Sequence, residues 1–142
     1  MPLDYDVHHA RRLVFATGRG TVTDQDVFGY QREVWSRPEL AGYDELVDMR
    51  GVQHIVLPPA ASIQELAELS AQMDTVARSK FAIVAPDNLS NALSRIYGAY
   101  RWLDDRSTKQ VEVFRTMPEA LAWLGIDGGF RPRLESPPGL DQ

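Results

Sequence analysis

The chain contains no cysteine, which excludes disulfide staples and any zinc or iron–sulfur site built on thiolates. It has no apolar run near the roughly 18 residues of a membrane span. Its opening stretch, residues 1 to 12, places acids and histidines where a signal peptide needs an apolar core. A cytoplasmic protein without a membrane span is expected. Positive charge is also in short supply: 15 Lys and Arg face 20 Asp and Glu, for a formal net charge of −5, and the bases are scattered in pairs such as Arg11-Arg12. Without a basic stripe, nucleic acid is not an expected partner, and an anionic membrane surface is disfavoured for the same reason.

Signatures of catalysis and metal binding are missing as well. The three histidines are His8, His9 and His54. A strand would send the adjacent pair to opposite faces, and no H-x-x-x-H spacing occurs, so no metal site is expected and His8 and His9 read as turn polarity. There is no G-x-S-x-G elbow and no P-loop. Gly18-Arg19-Gly20 lacks the third glycine and the helix-opening context of a dinucleotide fingerprint, and these glycines are expected to bend or bulge a strand. The expectation is a non-enzyme with no cofactor.

What remains is enough for one folded unit. A chain of 142 residues buries roughly two-thirds of the surface that it exposes when unfolded. Asp4 to His8 alternates in polarity, and Arg12 to Thr17 follows after His9-Ala10-Arg11, so the two strands should form an antiparallel hairpin. Thr23 and Asp26 have capping-box spacing and open a first helix with Val27, Tyr30 or Gln31, and Val34 inward, Phe28 and Trp35 beside them, and an end near Ser36 before Pro38. Leu46 to Met49 reads as a third strand that gives way at Gly51 to a loop through Ile55-Val56-Leu57. Ser62 and Glu65 read as a second capping box, opening a helix with Leu66, Leu69, Met73 and Val76 on one face.

Phe81 to Val84 is an unbroken apolar run, as in a strand covered on both faces, and reads as the central strand. Pro86-Asp87-Asn88 starts a third helix whose Leu89, Leu93, Ile96, Tyr100 and Leu103 form a buried seam, with Gly98 marking a close approach to another element. Val111 to Phe114 is the last strand, and Thr116 to Glu119 opens a short helix ending at Gly125. The predicted fold class is α/β: an opening antiparallel hairpin, then β-α units, giving a mixed sheet of about five strands flanked by about four helices. Residues 1–126 form the single domain, and 127–142 a flexible Gly/Pro-rich tail.

Glu45 to Val52, Phe81 to Pro86, Val113-Phe114 and Glu119 to Leu124 occur in an order and at intervals that resemble the SpoIIAA-like family, a STAS-like group related to SEC14 lipid-binding domains. The likeness spans about residues 3 to 125. It implies a STAS-like sheet flanked by helices, often dimeric, with no established enzymatic activity for most members. Bacterial anti-sigma-factor antagonists of this type carry a phosphorylatable serine after the third strand. Here that stretch, Gly51 to Pro59, has no serine or threonine, and Ser62, at the predicted helix N-cap, is the nearest phosphosite candidate. An N-cap serine commonly does no more than cap.

Candidate binding residues follow from position. The carboxyl ends of parallel strands and the helix N-termini after them share one rim, where open α/β sheets bind ligands. Asp48, Arg50, Pro86, Asn88 and Ser90 should cluster there, with Arg95 and Tyr97 on the less apolar side of the third helix. The plainer interpretation is that Asp48 and Arg50 bond locally and Asn88 caps a helix. Leu69, Met73 and Tyr97 outline an apolar groove between the second and third helices. Two roles are expected: a regulatory module acting through a protein partner, as a homodimer, or a carrier or sensor of a small apolar or lipid-like ligand. An exposed apolar patch without a pocket would favour the first, and an internal cavity with few polar groups the second.

Overall fold

The computed structural model describes residues 3–56, 60–73, 78–103, 109–126 and 130. Strand β1 (Leu3–His8) turns through a 3₁₀ segment at His9–Arg11 into β2 (Leu13–Val22). There follow α1 (Asp24–Trp35), β3 (Asp44–Ile55), α2 (Ala60–Met73), β4 (Ser79–Val84), α3 (Asn88–Leu103), β5 (Lys109–Phe114) and α4 (Met117–Leu124). β1 and β2 pair antiparallel from Leu3 opposite Gly18 to His8 opposite Leu13, and β2 to β5 run parallel. The expected mixed sheet of five strands and four helices is what forms.

The strands lie in the order β1-β2-β3-β4-β5. Each parallel crossover therefore steps one strand in the same direction, and right-handed connection places α1, α2 and α3 together on one face. That face carries the larger core, in which Val14, Val34, Trp35, Val47, Phe81, Ile83 and Tyr97 are buried. The chain leaving β5 is free to cross to the other face, where α4 covers Leu13, Phe15, Leu46, Ala82 and Val84. β3, not β4, is the middle strand, although β4 is interior as its apolar run requires.

Caps at two of the helices follow the sequence. The Thr23 hydroxyl accepts from Asp26 N, and the Asp26 carboxylate accepts from Thr23 N at 2.8 Å, closing the box that starts α1. Thr116 accepts from Glu119 N at the start of α4, which stops at Gly125 in the left-handed region, φ 75°. The second expected box is not one. α2 begins at Ala60, so Ser62 and Glu65 are merely three apart inside a helix.

The third strand is far longer than its apolar stretch. β3 runs to Ile55 because Gly51 to Ile55 pair with Arg19 to Val22 of β2, so the expected loop at Ile55 is strand and Val56 is the residue after it. Register shifts fall between Thr17 and Arg19 and between Gly20 and Thr21, which places the predicted bulges at the glycines. A Cβ on Gly51 would stand 3.0 Å from the Gly18 carbonyl oxygen, and one on Gly18 would stand 2.7 Å from a Val52 methyl, so the two strands approach through their glycines.

Of the predicted seam of α3 only Ile96 has a described side chain; those of Leu89, Leu93, Tyr100 and Leu103 lie outside the described residues. Ile96 is exposed, whereas Asn91 and Tyr97 are buried and Gly98 faces Val111 of β5. Apolar residues surround most of this helix, so the pattern alone does not select the inward face. Phe130 is also buried, 5.2 Å from the His8 ring and with Arg11 over its face. The predicted tail thus includes one core residue; residues 127–129 and 131–142 lie outside the described residues.

Candidate functional site

A cavity of about 160 Å³ lies between the sheet and the layer of α1, α2 and α3. Its wall is almost wholly apolar: Val27 and Phe28 of α1, Ile63 and Leu66 of α2, and Val47, Met49, Phe81 and Ile83 of the sheet all contribute. Alternation along β3 sends Glu45, Val47 and Met49 to this face and Leu46 and Asp48 to the other. The cavity follows this row. At one end stand the buried Glu45, Tyr30 and Phe81, and at the other Met49, Ile55 and the exposed Val56.

The buried end is built around an ion pair. Lys109 Nζ donates to Glu45 Oε1 at 3.2 Å, with both side chains 2% exposed. The Tyr30 hydroxyl donates to Glu45 Oε2 at 2.7 Å. Lys109 reaches Glu45 across Phe81, because β4 lies between their strands, and its ammonium sits 3.4 Å from the centre of the Trp35 ring. Burial pushes the Tyr30 phenol well above its ordinary pKa of 10.0; the charge of Glu45 and the hydrogen bond to it act in the same direction, and the nearby Trp35 indole N–H partly opposes them. That N–H lies outside hydrogen-bond geometry to any described group.

This has a consequence in alkali. The folded state holds the Tyr30 proton above the pKa of the unfolded chain, so the stabilisation is complete below about pH 10 and is lost as pH rises through the higher folded value, by about 1.4 kcal/mol per pH unit in between. In a spectrophotometric titration, one of the five tyrosines is expected to ionise only as the protein unfolds. Ionisation of all five below the unfolding transition would contradict this environment.

The sequence-predicted residues divide. Asp48 and Arg50 bond to each other, with Arg50 Nε 2.9 Å and 3.1 Å from the two carboxylate oxygens and Nη2 at 2.8 Å. The Pro86 carbonyl accepts from Arg115 at 2.8 Å, and Arg95 donates to Asn91 at 2.8 Å. Asn91 in turn donates to the Ala85 carbonyl. Asn88 is the exposed first residue of α3; Ser90 follows in its first turn, with its side chain outside the described part.

Of the rim residues whose side chains are described, only Tyr97 reaches the cavity, and it does so from the core rather than the less apolar side: it is buried and donates to Ser70 Oγ at 2.9 Å. The rim expectation borrowed the crevice of sheets whose strand order reverses, and this order never reverses. The groove shifts as well. Leu69 does not line the cavity, Ile63 and Leu66 do, and the side chain of Met73 lies outside the described part. Ser62 lines the cavity from inside the first turn of α2.

His9 Nδ1 meets the Tyr43 hydroxyl at 2.9 Å, and His8 lies near Asp6. Among the described residues no group of three or more His, Asp or Glu is placed to hold a metal, and no helix is long and apolar enough to cross a membrane.

The fold is SpoIIAA-like. An uncharacterised DUF3478-family protein of Shewanella loihica PV-4, whose crystal structure has a SpoIIAA-like fold, superposes with a TM-score of 0.54 over 86% of this chain and 93% of its own, at 17% sequence identity. Identity at that level speaks for the architecture alone. No family model matches the sequence, and no curated protein matches it.

Proposed function

We propose that the protein is a non-catalytic carrier or sensor that holds a small apolar ligand between the sheet and the α1–α3 layer. The cavity of about 160 Å³, walled by apolar side chains, carries this reading. Empty cavities of about 150 Å³ with such walls admit a benzene ring. A full lipid would be accommodated only in part, so the portion of a ligand held within the cavity is ring-sized. Burying about 200 Å² of ligand surface is worth about 5 kcal/mol, which corresponds to a dissociation constant on the order of 0.1–1 mM. The interaction-module reading draws less support: of Val56 and Ile96, the large exposed apolar residues among those described, one follows β3 and the other belongs to α3.

The test is thermal unfolding in buffer with and without saturating toluene. At a few times the dissociation constant, stabilisation of about 1 kcal/mol should raise Tm by about 3 °C. Leu66→Trp, which fills the cavity, should abolish the shift. A wild-type Tm that does not move, or an equal shift in the variant, would remove the cavity as a ligand site.

A further inference from the structure

We infer that the cavity selects a neutral ring-sized ligand bearing one hydroxyl group, which donates to the Glu45 carboxylate. This rests on the reading of the cavity as a ligand site. Glu45 lines the cavity at its buried end. An ionised carboxylate is acceptor-only, with about four lone-pair positions. Glu45 receives one hydrogen bond on each oxygen, from Tyr30 and from Lys109, so acceptor capacity remains. Tyr30 spends its proton on Glu45, so its oxygen can only accept from a further group. Both groups therefore ask the ligand for a donor.

Charge narrows the class further. Glu45 and Lys109 neutralise one another at 3.2 Å, each side chain only 2% exposed. Among the described lining residues an anionic ligand would meet no uncommitted positive charge to offset its loss of hydration, and a cationic one could pair with Glu45 only by displacing Lys109 from its place against Trp35. A neutral donor fits without either cost. The rings of Phe28, Tyr30, Phe81 and Tyr97 around the space suit an aromatic body, through edge-to-face contacts. The chemistry is that of a phenol.

Three probes of one shape separate the possibilities: p-cresol, toluene and 4-methylbenzoate. Each is titrated into the full chain at pH 7 and followed through the methyl signals of Ile63 and Ile83, both in the cavity wall. A hydrogen bond to a charged group should make p-cresol bind about tenfold tighter than toluene, with no saturable binding of 4-methylbenzoate at millimolar concentration. Equal affinity of toluene and p-cresol would overturn the hydroxyl assignment and leave the apolar-ligand reading standing. Preferential binding of 4-methylbenzoate would overturn neutrality. If none of the three moved these methyls, the reading and the inference would fall together.

Discussion

Lys109→Met is expected to lower the stability of the fold by about 3–5 kcal/mol, a large part of the roughly 5–15 kcal/mol available to a domain. Methionine nearly keeps the length and volume of lysine, so the loss is that of the charge. With the ammonium gone, the Glu45 carboxylate is left inside the α1–α3 core, supported by one hydrogen bond from Tyr30. Adding Glu45→Gln removes the stranded charge and keeps an acceptor for the Tyr30 hydroxyl. The double variant should recover at least half of the loss, because a buried pair costs more to break than to replace. Urea unfolding of the wild type, the single and the double variant measures this directly. A single variant within about 1 kcal/mol of wild type, or a double variant worse than the single, would show that Lys109 does not compensate Glu45 in solution.

That pair also marks the limit of what the sequence discloses. The capping box at Thr23, the helix start at Thr116, the opening hairpin and the strand at Phe81 are local signals, each carried by a few adjacent residues, and they are legible. The false box at Ser62 shows the weakness of the same signal: any Ser and Glu three apart within a helix imitate it. β3 could not be read to its end because Arg50-Gly51 resembles a break. What extends it is pairing with Arg19 to Val22, some 30 positions away in the chain.

Glu45 and Lys109 are not legible as a buried pair, because a charge at a strand start reads as solvated. A signal was nonetheless present. Glu45 is two residues from Val47 and Lys109 two from Val111, so alternation alone aims both at the apolar face. Lys109 is also one of only two lysines in a chain that otherwise uses arginine. The cavity itself had no local signature. It arises where α1, α2 and α3 lie over one sheet face, a property of the strand order rather than of any segment.

The strand order also separates the site from the other half of the core, and a second large effect tests that separation. Phe15→Ala is expected to cost about 4 kcal/mol, within the range for buried phenylalanines. Phe15 has no exposed surface and is the third residue of β2, opposite Asp6 of β1 and Leu46 of β3. Neighbouring strands hold the sheet backbone on either side, so collapse into the space must come from α4, an eight-residue helix tied to β5 through Arg115 and Thr116. Partial relaxation of that helix keeps the cost below the upper limit of the range. Because Phe15 faces away from the ligand cavity, its loss should lower the urea midpoint while leaving the p-cresol response of the Ile63 methyl as in the wild type. A weakened response would mean that the two faces of the sheet are mechanically coupled and that the cavity's shape depends on packing beneath α4.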